Sequence, residues 1–364
     1  MTLILREGDP EAFFEAPFHA YPPAIGYVSP MRGDILRMLD PGKNPLWTSG
    51  NPYRFWTVHR AGGAPVGRII AHLHRQSNER WGWNRAQFGF FDCADDPEAA
   101  RLLLDAAEGF ARDQGMSELV GNFNLTAMQQ CGVMTGGFEN TAYTDMIVGA
   151  PWLPGMLQAN GFAPFFPMTT FEIDLSRAAP PPAGLDPAHF TFAPIRKSTF
   201  PERMEEARLL LNDGFHDNPM FVPLTAEEFQ FQAGELSTIL DPRLSSVVKQ
   251  DGVPVGVIIA IPDLNGFLKA TRSRIGLTTP WHFLRYRMNR KRAVLIFYSV
   301  ARAAHGQGIM SAMLIETLRR VRAAGYETVG GTWIADENPA SLRQVEKMNG
   351  RALHKLHLFR KAIA

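Results

Sequence analysis

The chain repeats itself, and this restricts its fold more than its composition does. Ala64-Pro-Val-Gly-Arg-Ile-Ile70 returns 189 residues later as Val253-Pro-Val-Gly-Val-Ile-Ile259. Each follows a glycine turn and reads as the second arm of a hairpin. Asn160-Gly161 returns as Asn349-Gly350 at the same offset of 189. Gln87-Phe-Gly-Phe-Phe91 corresponds to the apolar run 294–300, and a helix over 97–114 closed by Gly115 corresponds to one closed by Gly325, an offset of 210. The second copy therefore has about 21 extra residues before its central strand, and the first a similar excess after its helix. Strands alternating with amphipathic helices in both halves give an α/β (α+β) class: two tandem modules, each a mixed central sheet flanked by helices. The expected modules are residues 1–177 and 191–364. The Pro-rich stretch 178–190, with Ala178-Ala-Pro-Pro-Pro-Ala-Gly-Leu-Asp-Pro187, reads as the linker.

The copies differ where chemistry would sit. In the second, the run ending at Val300 is followed by Ala303-Ala-His-Gly-Gln-Gly308, and then by Met310, Met313, Leu314, Leu318 and Val321 at helical spacing. A strand, a glycine loop and a helix start aim backbone N–H groups and the helix dipole at a bound anion. Glycine there lets an anion approach the backbone closely. The corresponding loop of the first copy, Asp92-Cys-Ala-Asp-Asp-Pro97, has no glycine and three carboxylates, which repel anions. Asp96-Pro97 reads as a cap and first turn.

The second loop resembles the pyrophosphate loop of the GNAT superfamily of acyl-CoA N-acyltransferases, Gln/Arg-x-x-Gly-x-Gly/Ala. Gly306 and Gly308 match it, while Ala303 replaces the leading Gln/Arg. The chain then closes as that superfamily does. A strand at 328–334 leads to Asn338 at a helix start, and a glycine, Gly350, precedes a last strand at 352–359. The family's usual Tyr, seven residues after the Asn, is Val345 here. Further stretches extend the resemblance over nearly the whole chain. Asp40-Pro-x-x-Asn-Pro45, Gly89-Phe-Phe91, Gly121-x-x-Asn124, Gly137-Phe138, Pro223-Leu-Thr-x-Glu-Glu-Phe229, Pro262-Asp-Leu-Asn265 and Trp333-Ile-x-Asp-x-Asn338 occur in order. Together they resemble a large tandem-module bacterial family similar to bacterial ceramide synthases.

The resemblance implies acyl-CoA or acetyl-CoA as co-substrate and no metal. It implies cofactor contacts from Ser299, Val300, His305, Gly306, Gln307, Gly308, Ile309, Met310 and Asn338. A backbone N–H near residues 298–300 would polarise the thioester carbonyl. His305, Asp263 and Asp336 are candidate bases, and Tyr298 is the candidate acid. The implied reaction is acyl transfer to a primary amine, with a long-chain sphingoid-like amine as one acceptor. A non-catalytic tandem binding or scaffold protein is the alternative, favoured by Ala303 and Val345. Aminoacyl transfer from tRNA on a tandem scaffold is a smaller one.

Charge adds one local signal. Net charge is +1, which gives no general argument for nucleic acid, and none is expected as a partner. Yet residues 264–315 hold no Asp or Glu and nine cations: Lys269, Arg272, Arg274, Arg285, Arg287, Arg290, Lys291, Arg292 and Arg302. Trp281, Phe283, Leu284, Tyr286 and Met288 lie among them. Three readings stand: a solvated helix, a clamp for CoA phosphates, and peripheral contact with an anionic membrane through residues 267–292. Cys93 and Cys131 lie far apart, and the start of the chain is charged too soon for a signal peptide. The expectation is therefore cytoplasmic, with peripheral contact at the inner membrane surface. His72 and His74 share a strand face but have no further ligands in view for a metal. His354 and His357 read the same way, and 132–140 reads as a loop.

Overall fold

In the computed structural model, residues 2–177, 185–234 and 236–364 are described. Most of the Pro-rich linker, 178–184, lies outside them. The strands are β1 (Leu3–Glu7), β2 (Tyr53–Arg60), β3 (Pro65–His72), β4 (Arg85–Cys93), β5 (Glu118–Gly121), β6 (Val133–Gly136), β7 (Ala163–Asp174), β8 (Phe190–Pro194), β9 (Ser246–Gln250), β10 (Val253–Pro262), β11 (Arg292–Val300), β12 (Thr328–Ala335) and β13 (Arg351–Ala362). The duplication appears as matched pairs: β3 with β10, β4 with β11, β5 with β12 and β7 with β13. Helices Pro97–Asp113 and Ile309–Ala323 also correspond. Residues 132–140 are not all loop, because β6 falls there and pairs with β13.

All of these strands join one 13-stranded sheet, in the order β1-β2-β3-β4-β5-β13-β7-β12-β11-β10-β9-β8, with β6 off the path against β13. The two halves exchange their last strands. β13 pairs with β5 through Phe359↔Gly121 to Ala362↔Glu118, and β7 pairs with β12 through Thr328↔Asp174 to Ala335↔Met168. The pairing β7·β13 closes the seam between them. Each copy thus supplies the strand that completes its neighbour's sheet.

Helix formation follows local signals. Asp96 caps Pro97–Asp113 by accepting from the amides of Glu98 and Ala99. Ala99, Leu103, Leu104, Ala107 and Phe110 then face the sheet in a 3.6-residue rhythm. In the second copy Ile309, Met313, Leu314, Leu318 and Val321 are buried in the same way. Each such side chain contributes roughly 1.5–3 kcal/mol by leaving water.

The central strands splay in both copies. β11 and β12 run parallel from Arg292↔Thr328 to Leu295↔Gly331, and beyond that register no ladder joins them. β4 and β5 likewise pair from Arg85↔Glu118 to Phe88↔Gly121. In the first copy the following segment fills the opening. The Phe123 amide donates to the Phe88 carbonyl (2.8 Å), and the side-chain oxygens of Asn124 and Asn122 accept from the amides of Phe90 and Phe91 (2.8 and 3.1 Å). A Cβ on Gly89 would lie 1.6 Å from the Phe123 carbonyl oxygen, so only glycine lets this segment pack there.

Candidate active site

In the second copy the splay stays open. A cavity of about 530 Å³ lies between the diverging ends of β11 and β12. Its walls are largely apolar, with Phe166, Phe171, Phe215, Leu295, Phe297 and Trp333 among them. Ligand pockets commonly span about 300–1,000 Å³ with this kind of lining. Gly214 brings the helix Phe200–Gly214 against β11: a Cβ there would meet the Ser299 hydroxyl at 1.9 Å. The Ser299 hydroxyl donates to the Leu210 carbonyl at 3.0 Å, which fixes the strand end.

The glycine loop opens at this end. Gly306 and Gly308 adopt φ of +79° and +76°, a region that penalises side chains. A Cβ at either would meet nothing within 4 Å, so the loop faces open space. Gly308 starts the helix Ile309–Ala323 with no side-chain cap, leaving its first amides available to an anion. His305 Nε2 lies 3.0 Å from the Val300 carbonyl oxygen. In that arrangement Nε2 carries the proton and donates, and Nδ1 is the ring's free acceptor.

The residues singled out from sequence do not all gather. Tyr298, Ser299, Val300, His305, Met310 and Asn338 line the cavity. Gly306, Gln307, Gly308 and Ile309 follow directly as the loop and helix start. Burial raises the Tyr298 phenol above its ordinary value, opposed by a hydrogen bond with Ser341, so it stays protonated at neutral pH. Asn338 caps the helix Pro339–Lys347 through the Ser341 amide (3.1 Å). Val345 lines the cavity from that helix.

Asp263 lies elsewhere. It follows Pro262, which pairs with Ala293 at the start of β11, seven residues before Val300. At about 3.3 Å per residue this is roughly 23 Å from the loop. There it accepts from the amide and hydroxyl of Thr144 (both 2.9 Å) and pairs with Arg292 (3.3 Å). Asp336 is tied at 2.5 Å to the Lys355 ammonium and accepts from the Thr169 hydroxyl.

Of the carboxylates that line the cavity, Asp145, Asp217 and Glu337, none is a candidate from the sequence, and burial acts most on Asp145. Asp145, from the first copy's excess segment, lines the same cavity as Tyr298 and His305. Burial pushes its carboxyl up to about 7. No hydrogen bond or ion pair engages it among the described residues. Its neighbour Tyr143 anchors the segment: the phenol bonds Glu172 and Thr328 (2.5 and 2.7 Å), and its ring packs on Gly330. The site is therefore built from both copies.

Residues 206–350 match the acetyltransferase (GNAT) family. Protein YghO of Escherichia coli (strain K12) is 25% identical over 381 residues, covering 99% of this chain and 94% of that protein. A bacterial ceramide synthase of Caulobacter vibrioides is 23% identical over 351 residues, covering 93% of this chain and 90% of that one. A solved tandem GNAT protein from the clavulanic acid biosynthesis pathway superposes with a TM-score of 0.60 at 15% identity, over 100% of this chain and 99% of that one. The chain thus has the fold of a tandem GNAT protein, and its residues 206–350 match the GNAT acetyltransferase family.

Proposed function

We propose that the chain transfers an acyl group from acyl-CoA to a primary amine, with a long-chain, sphingoid-like amino alcohol as the favoured acceptor. The observation that carries this reading is the cavity itself. It runs from the anion-ready loop at Gly306 and Gly308 along an apolar wall, and it holds Asp145, whose carboxyl burial pushes up to about 7. The likeness to a bacterial ceramide synthase supports the choice of acceptor.

In this reading the amide groups of the loop and of the first helical turn hold the pyrophosphate of CoA. The acceptor nitrogen attacks the thioester carbonyl, the C–N bond forms and the C–S bond breaks. The proton leaving nitrogen goes to Asp145, which is close to half ionised at neutral pH and so suits a base there. The CoA thiolate leaves against the Tyr298 hydroxyl and is protonated to the free thiol. Val345 cannot donate a proton, which gives Tyr298 that part.

Val345 also favours a second reading, a tandem GNAT protein that binds acyl-CoA without turnover. Incubation with a long-chain acyl-CoA and a long-chain amino alcohol separates the two. Free thiol and an N-acyl amide, detected by mass spectrometry, support the transferase. Stoichiometric acyl-CoA binding with no amide supports the binder.

A further inference from the structure

The segment between β10 and β11 forms two helices, Asn265–Thr271 and Thr279–Met288, and the second has no counterpart in the first copy. It packs inward through rings: Phe267 meets Phe283 and Tyr286 at 5.6 and 6.1 Å. It is also bolted to the first copy. The Ser273 hydroxyl donates to the Ser29 carbonyl (2.7 Å), the Arg32 amide donates to the Ser273 carbonyl (2.8 Å), and Arg274 pairs with Glu15.

Its other face is unusual. Ile275 is 83% exposed, Leu277 103%, Trp281 57%, Leu284 57% and Met288 71%. Among the described residues these are five of the nine exposed large hydrophobics, all within 14 residues. Trp281, Leu284 and Met288 follow at i, i+3 and i+7, so one side of the helix is apolar and faces water. Such a patch marks an interaction surface.

The ion pairs sort the nine cations into two groups. Arg274, Arg290, Lys291, Arg292 and Arg302 are paired with Glu15, Asp241, Glu327, Asp263 and Asp213. Lys269, Arg272, Arg285 and Arg287 are exposed and have no ion pair among the described residues. Arg285 lies over the Trp281 ring at 5.6 Å. Arg285 and Arg287 share the helix with Trp281, Leu284 and Met288. Lys269 and Arg272 lie on the preceding helix and its C-terminal end, with Arg272 over the Phe18 ring at 5.7 Å, and no carboxylate in 264–315 offsets them.

We propose that this platform docks the protein on an anionic lipid bilayer, with Ile275, Leu277, Trp281, Leu284 and Met288 entering the headgroup–acyl boundary and Lys269, Arg272, Arg285 and Arg287 on lipid phosphates. The side chains project rather than line a groove, and cations together with protruding apolar residues complement an anionic interface. This inference does not depend on the acyl-transfer reading, because binding is read without turnover.

The test is co-sedimentation of the full chain with phosphatidylcholine vesicles, alone or containing phosphatidylglycerol. Wild type should pellet with the anionic vesicles only, less so as salt rises. A variant with Lys269→Gln, Arg272→Gln, Arg285→Gln and Arg287→Gln should bind about tenfold more weakly or worse. Leu277→Ser with Trp281→Ser and Leu284→Ser should lose binding while circular dichroism stays unchanged. Absence of binding by wild type overturns the proposal. So does equal binding to neutral vesicles, or unaltered binding by either variant. A concentration-dependent dimer that the serine variant abolishes, without vesicle binding, would mean that a second copy covers this face.

Discussion

The side-chain oxygen of Asn122 accepts the Phe91 amide hydrogen at 3.1 Å, and this bond closes in the first copy the opening that the second keeps. Asp92 beside it is also committed. It pairs with Arg68 at 2.7 Å and accepts from the Tyr21 hydroxyl at 2.6 Å, so these acids and amides serve the fold.

Acyl-CoA should therefore bind once per chain. Titration calorimetry should give one site for wild type. Gly308→Asp should lose measurable binding, because it sets a side chain on a φ of +76° and a carboxylate on the anion position. Two equivalent sites, or normal binding by the variant, would contradict this.

Turnover should depend on Asp145. With its carboxyl held at about 7, the basic form and kcat should both rise as pH increases through neutrality. Asp145→Asn should lower kcat by about 10²–10⁴ and flatten that rise, leaving acyl-CoA affinity nearly unchanged. His305→Ala, by contrast, removes the ring that bonds the Val300 carbonyl and should act mainly on binding through the loop. If the Asn variant keeps the wild-type pH profile, Asp145 is not the base.

The strand exchange makes the halves interdependent. Residues 1–177 alone leave β5 without β13, and 191–364 alone leave β12 without β7. Each half expressed separately should lack cooperative unfolding by circular dichroism. Co-expressed, the two should assemble into a 1:1 complex. An independently folded half would show that the exchanged strands are dispensable.

Much of this was legible in the chain. The glycine loop was, because a change of apolar period from strand to helix around Gly306 and Gly308 is a local signal. The helix starts at Asp96 and Asn338 were, because their caps are local too. The exchange of β7 and β13 was not. The two strands occupy the same place in the repeat, so their own residues do not say which sheet each completes. Asp145 carries no motif; the packing of Tyr143 on β12 and the bonds of Thr144 to Asp263 bring it to the cavity. The basic window looked uniform because the partners of five of its cations lie far off in sequence, at Glu15, Asp213, Asp241, Asp263 and Glu327.

Acid should destabilise the first copy. Burial lowers His72 to about 4 and His74 to about 3, both below the ordinary 6.5. The unfolded chain then takes up protons first, so this stability is complete above pH 6.5 and falls as pH drops towards 4. At pH 5 the loss should be about 2 kcal/mol for each histidine. Urea unfolding at pH 7 and pH 5 should show it, and His72→Phe should reduce the difference. An equal drop in that variant would assign the effect to other groups.

Acyl transfer is tested most directly by a single-turnover reaction of purified protein, long-chain acyl-CoA and a long-chain amino alcohol, with CoA thiol and N-acyl amide quantified together. One amide should form for each thiol released, with strong loss of both in Asp145→Asn. Thiol without amide, or tight acyl-CoA binding with neither product, would contradict it.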